Sequence, residues 1–358
     1  MTHHEIILKL TALESLALPK TSGSETGNET LDYIPGSALL GATAYRALDQ
    51  GWKSDAQEFR RCFLTGEVSF GDGNPGTQAA QPVPRCYVRP KGDAEYNDRI
   101  IDAAVATRKN PKDGARAWLA SKPESGASTQ TTKLEESRDG YVESGKLLKL
   151  DRILKTHTAI DGDNRSAAEN KLFSYECLPA GTVFNASIRS SDTGLLSRLQ
   201  QILAGSELHI GRSRATGYGR VKVESIQIRP LTLAAGKYEQ STVLTLTTDL
   251  LLPPACNSIV ALLKDLHNIR VSDSCMQASW SLTRSVQSFH GQWGLPREIA
   301  RAIVRGSTFL LEMDEASFAQ LQGLMPQGLG LRTHEGYGRF LLNDPELHPD
   351  EPLHELKE

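Results

Sequence analysis

Gly211-Arg-Ser-Arg-Ala-Thr-Gly-Tyr-Gly-Arg220 aligns without gaps on Gly330-Leu-Arg-Thr-His-Glu-Gly-Tyr-Gly-Arg339. A turn that recurs within one chain is the mark of an internal duplication. Working outward, further segments repeat in the same order. Ile7-Leu-Lys-Leu-Thr-Ala, which runs on to Pro19, matches Val243-Leu-Thr-Leu-Thr-Thr, which runs on to Pro253; Gly181-Thr-Val-Phe184 matches Gly306-Ser-Thr-Phe309. Each half therefore reads as a strand, a helical region, a strand opening at Gly-x-x-Phe, a second helix, and a glycine-rich turn into a last strand. That order predicts an α+β fold of two tandem ferredoxin-like domains, each a β-α-β-β-α-β unit with helices on one face of an antiparallel sheet. Leu8, Leu10 and Ala12 alternate as one face of a strand. Leu195, Leu196, Leu199, Ile202 and Leu203 recur at helical spacing, and Phe318, Leu321 and Leu324 do so after Asp314, an expected N-cap.

The expected boundaries follow. Residues 1–230 form the first domain, with an insertion over about 71–145, rich in Gly, Pro, Ser and charge, and a helix near Asp98 to Arg108. A linker near Arg229 to Tyr238 leads to a second domain over 239–343, and the acidic 344–358 reads as a disordered tail. A chain of 358 residues, 39% apolar and 23% charged, is long enough for two cores. Its net charge of -3 excludes a uniformly basic nucleic-acid coat and leaves room for a local basic patch. No apolar run approaches the roughly 18 residues that cross a bilayer, and the first ten residues lack a signal-peptide pattern. The chain is expected in the cytoplasm, with no membrane partner. Cys62, Cys86, Cys177, Cys256 and Cys275 form no metal-binding pair or disulfide framework and read as buried free thiols.

Three segments could carry chemistry. In the first turn, Gly211, Gly217 and Gly219 permit positive φ and expose backbone N–H groups, while Arg212, Ser213, Arg214, Tyr218 and Arg220 supply charge and hydrogen bonds. The turn reads either as a phosphate cradle or as a tight turn with solvated arginines. In Tyr33-Ile-Pro-Gly-Ser37, Pro35 and Gly36 break the chain and Ser37 is placed to cap a helix whose free N–H groups suit an anion, with Arg46 within reach; a capped helix with a surface arginine is the other reading. His157-Thr-Ala-Ile-Asp161-Gly-Asp-Asn-Arg165 and Leu172-Phe-Ser-Tyr describe a projecting hairpin over about 155–175. His157 and Asp161 are the weak candidates for an acid/base pair, and without a third partner no catalytic residue is assigned. No cofactor or metal set is expected.

With these residues in place, the chain resembles the RAMP (repeat-associated mysterious protein) superfamily of CRISPR effector complexes, and within it the Csx-ten family of type III-D systems. The resemblance is carried by Leu31-Asp-Tyr-Ile-Pro-Gly-Ser37, Phe59-Arg-Arg-Cys-Phe-Leu-Thr-Gly-Glu-Val-Ser-Phe70, His157-Thr-Ala-Ile-Asp161, Leu172-Phe-Ser-Tyr, Pro179-Ala-Gly-Thr-Val-Phe184 and Gly211 to Arg220, in that order. It implies RRM-like domains and a subunit that grips the 5′ repeat-derived handle of a CRISPR guide RNA. The glycine-rich loop would lie on the RNA backbone, and a thumb hairpin near 157–171 would kink the guide. The implied partners are guide RNA, target RNA indirectly, other RAMP backbone subunits and the large signature subunit. RAMP subunits that cut target RNA carry an Asp where this chain has Ser22-Gly-Ser-Glu25, so the resemblance implies RNA holding without cleavage. A RAMP endoribonuclease that processes precursor guide RNA or cleaves target RNA is the alternative.

Overall fold

The computed structural model describes residues 2–20, 29–78, 80–90, 99–111, 134–136, 140–160, 167–214, 216–233, 235–272, 276–290, 295–350 and 353–355. In chain order the elements used below are β1 (His4–Ala12), α1 (Gly36–Asp49), α2 (Gln57–Phe63), β2 (Val68–Phe70), β3 (Tyr87–Pro90), β4 (Arg99–Asp102) and α3 (Ala103–Lys109). There follow β5 (Ile153–Ile160), β6 (Ala167–Cys177), β7 (Val183–Ser190), α4 (Thr193–Leu203), β8 (Arg220–Pro230), β9 (Ser241–Leu246), β10 (Met276–Trp280), β11 (Thr308–Glu312), α5 (Glu315–Leu324), β12 (Phe340–Leu342) and β13 (Leu353–Glu355). The chain folds into two compact units. One comprises Met1–Ala79, Leu150–Pro230 and Gln287–Glu298; the other comprises Ala80–Lys149, Leu231–Val286 and Ile299–Glu358.

In the first unit the antiparallel strand order β8-β1-β7-β2 is that of a ferredoxin-like sheet, with the first and third strands central. Ile6, Leu8 and Leu10 of β1 are fully buried, and each such side chain contributes roughly 1.5–3 kcal/mol of apolar burial. They pack beneath α1, α2 and α4, together with all five of the α4 residues that the helical spacing selects. Asp192 starts α4 by accepting from the N–H groups of Gly194 and Leu195 at 2.8 and 3.2 Å. Beside this sheet, β5 and β6 pair with each other as an antiparallel ribbon. Gly71 to Pro75 pair with β7, so the chain leaves the first sheet near residue 79, later than the expected insertion boundary.

The second unit repeats the order as β12-β9-β11-β10. Asp314 caps α5 by accepting from Ser317 N–H at 2.7 Å, as its position predicts. The segment 80–149 is grouped with this unit, where the sequence assigns it to the first domain. The reason lies in β9, which is buried on both faces. Leu244 and Leu246 enter the core with α5, while Val243 joins Leu310 of β11 in a cluster with Cys86, Tyr87, Ile101 and Ala104. A strand buried on both sides needs a layer on each, and the inserted segment supplies one. The helix expected from Asp98 begins only at Ala103, because residues 99–102 form a strand that pairs with β3 through Ile101 and Asp102 and with β13 through Arg99 to Ile101.

The expectation of a disordered tail fails for the same reason. Leu347 and His348 are buried, and β13 pairs with β4. His348 Nδ1–H donates to Asp102 Oδ2 at 2.6 Å, and its Nε2 lies 2.7 Å from Thr245 Oγ1. Asp102 also accepts from Ala104 and Val105 N–H and from the Cys86 thiol. Burial pushes the Cys86 thiol well above its ordinary pKa. Cys62, Cys86, Cys177 and Cys256 are buried free thiols; Cys275 lies outside the described residues. Among the described residues no helix is long and apolar enough to cross a membrane.

Candidate nucleic-acid interface

The glycine-rich loop joins α4 to β8 along the chain segment that follows β1. Gly211 and Gly219 have φ of +94° and +88°, and a Cβ there would sit 2.6 Å from the Ala17 carbonyl oxygen and 2.5 Å from that of Ile210. Only glycine permits this approach. The same approach uses the backbone donors inward. Arg212 N–H donates to Ala17 O at 3.0 Å and Gly219 N–H to Ser15 O at 3.1 Å. The expected phosphate cradle of free N–H groups is therefore corrected at these two positions. Ser213 has φ of +57°, and its carbonyl accepts from Thr216 N–H at 2.9 Å. Arg214, Thr216 and Gly217 are exposed and Arg212 is half-buried. Among the described residues neither Arg212 nor Arg214 makes an ion pair, whereas Arg220 pairs with Glu14 at 3.3 Å. Glu29 and Glu176 share a recess with Arg212, which leaves Arg214 the more available charge.

Tyr218 was expected at the interface and is instead 2% exposed. One face of the β5–β6 ribbon covers it. Lys155 pairs with Tyr175 in register, and the even spacing from Lys155 to His157 and from Tyr175 to Cys177 turns these four side chains the same way. The Tyr218 hydroxyl is hydrogen-bonded to His157 Nε2. The Tyr175 ring meets Tyr218 edge-on at 6.3 Å, and the Lys155 ammonium lies 5.2 Å from its centroid. Burial raises the phenol pKa of Tyr218 and the thiol pKa of Cys177. A base cannot stack on a ring so covered. Period-two spacing in the hairpin was the signal that could have found Lys155 and Tyr175. Asp161 and Arg165 lie outside the described residues, so the His157–Asp161 acid/base pair has no described geometry.

At the helix start, the expected Ser37 cap is also corrected. Pro35 occupies the cap position without a side-chain hydrogen bond, and Gly36 N–H donates to Asp72 Oδ1 at 2.8 Å. A carboxylate thus already fills the place suited to an anion. Arg46, three turns along α1, pairs with Asp49 at 3.0 Å.

A family model described as the RAMP superfamily matches residues 23–222, which run from after β1 through the glycine-rich loop into β8. The chain belongs to the RAMP superfamily. No curated protein matches it. Among solved structures, a chain of the type III-B Cmr-beta complex bound to cognate target RNA and AMPPnP is 13% identical, with 86% of each chain covered and a TM-score of 0.48. Oligomeric Cmr4 from Pyrococcus furiosus is 14% identical, over 65% of this chain and all of the other, with a TM-score of 0.30.

This RAMP chain uses its second glycine-rich loop differently. Arg332 bonds Glu335, with Nε to Oε2 at 3.1 Å, and lies 5.2 Å from the Tyr337 centroid; Glu335 is buried and Arg339 nearly so. The charges of this copy are largely spent on itself. Cys86, Asp102 and His348 bring donor atoms within 4.8 Å of one another and were tested as a metal centre. Two ligands about 2.0 Å from a tetrahedral zinc stand roughly 3.3 Å apart, but Asp102 and His348 approach to 2.6 Å. That is the spacing of a hydrogen bond, and each of the three groups already has a partner.

Proposed function

We propose that this RAMP chain is the guide-RNA-binding subunit of a type III-D effector complex, that it grips the 5′ repeat-derived handle, and that it does not cut RNA. The carrying observation is the contrast between the two loops: Arg212 and Arg214 make no ion pair among the described residues, while Arg332 is bonded to Glu335. Arginines left unpaired on a loop held by glycines favour phosphate contact. The interface then comprises Arg212, Ser213, Arg214 and Gly217, with the hairpin alongside. Partner RAMP subunits and the large subunit would be met in the assembled complex.

The ribonuclease reading draws on His157, which could act as a base in metal-free transfer. Against it, the bond from His157 leads to a buried tyrosine. The test is binding of repeat-derived RNA at increasing salt, with the same RNA run on a gel with and without divalent metal. Salt-sensitive binding without cutting is expected; cutting that vanishes in His157→Ala would establish the enzyme.

Arg212→Ala with Arg214→Ala is expected to lower affinity for every RNA sequence alike, by about tenfold or more. The salt slope should fall by roughly 1.4, at about 0.7 per phosphate contact on a single strand. Fluorescence anisotropy over a salt series reads both, and a loss confined to one sequence would refute backbone contact.

A further inference from the structure

The two copies of Gly-Tyr-Gly-Arg share their turn but not the fate of the tyrosine. Gly336 and Gly338 have φ of +98° and +76°, much like Gly217 and Gly219 at +83° and +88°. Yet Tyr337 is half-buried beside its own Arg332, whereas Tyr218 is covered. The turn alone therefore does not bury the ring. What differs is the β5–β6 ribbon, whose Lys155, His157, Tyr175 and Cys177 surround Tyr218.

We infer that Tyr218 is a positioning residue that clamps the glycine-rich loop to the β5–β6 hairpin, so that the loop arginines and the hairpin meet RNA as one preorganised surface. This rests on the proposed RNA-binding reading and adds to it how the site is held. The ring supplies packing, which phenylalanine would also supply. The hydroxyl supplies the bond to His157 Nε2, which ties a loop residue to a strand 61 positions earlier in the chain, and it also meets the Cys177 thiol of the same ribbon. The backbone bonds of Arg212 and Gly219 fix the loop to residues 15–17 and do not reach the hairpin. Among the described contacts, Tyr218 is thus the side chain through which loop and hairpin are joined by a polar bond. Ordering two separate RNA-facing parts before binding removes that entropic cost from the association step.

The experiment compares wild type, Tyr218→Phe, His157→Phe and the double variant by two readouts. The first is affinity for a fluorescein-labelled single-stranded RNA of repeat sequence; the second is hydrogen exchange of the β5–β6 amides without RNA. Tyr218→Phe is expected to bind roughly five- to tenfold more weakly, the effect of losing the hydroxyl's bonding to the hairpin in a site that depends on it. The double variant should lose little more, and exchange in the hairpin should quicken while the thermal midpoint stays within a few degrees. Unchanged hairpin exchange in Tyr218→Phe, or affinity within twofold of wild type, overturns the clamp. If wild type binds no RNA, alone or in the assembled complex, the functional reading fails, and the exchange data still decide whether the clamp exists.

Discussion

Replacing Asp102 with alanine is expected to destabilise the second unit by about 3–5 kcal/mol, the range for removing one partner of a buried charged network. Asp102 is fully buried, caps α3 through two N–H groups, accepts from Cys86 and holds His348. Alanine leaves all four donors unmet at once. Asp102→Asn is the informative control. Its carbonyl oxygen can still cap α3, and its NH₂ can donate to an imidazole whose proton has moved to Nε2, where Thr245 Oγ1 accepts it. A loss of only about 1–2 kcal/mol is therefore expected. Urea unfolding followed at Trp280, which packs against the cluster that holds Cys86 and Asp102's neighbours, reads both variants. Equal losses for alanine and asparagine would mean that the carboxylate's charge, and not the hydrogen bonds that asparagine keeps, carries the energy.

Gly219→Ala is expected to cost about 2–4 kcal/mol and to abolish the loop's shape, whereas Gly217→Ala should cost about 1 kcal/mol. The two positions have nearly the same φ, +88° and +83°, so backbone strain is similar. Space decides between them. A Cβ at Gly219 meets the Ile210 carbonyl oxygen at 2.5 Å, while at Gly217 nothing lies within 4 Å. Because Gly219 N–H also holds Ser15 O, the alanine would break the attachment of the loop to the chain after β1. Thermal melts of the two variants separate crowding from strain; similar losses would show that strain alone matters. RNA affinity should follow the same order, since Arg212 and Arg214 depend on the loop.

Much of the architecture was legible because duplication and periodicity are local properties. Leu8, Leu10 and Ala12 were recognisable as a buried face, Leu195 to Leu203 as a helix and Asp314 as a cap, because each depends on residues a few positions apart. The strand order 4-1-3-2 in both units follows from that element order. The site was less legible. Ser37 has the chemistry of a cap, but Pro35 occupies that place and Asp72, 36 residues on, takes the Gly36 N–H.

What the amino-acid sequence determined by itself, then, is a duplicated ferredoxin-like chain of the RAMP superfamily with a basic glycine-rich turn in its first half. Only the tertiary structure decided that Tyr218 faces inward, that the loop's glycines serve close approach to Ala17 and Ile210, that Arg332 is neutralised where Arg212 and Arg214 make no ion pair among the described residues, and that the acidic tail is anchored through His348. For Tyr218, Gly211 and His348 the physical reason is the same: propensity and spacing act over a few residues, whereas their partners His157, Ala17 and Asp102 lie far away in the chain. The Arg332–Glu335 pair and the approach of Gly219 to Ile210 are short-range in sequence, and there the fold decided the burial that makes them matter.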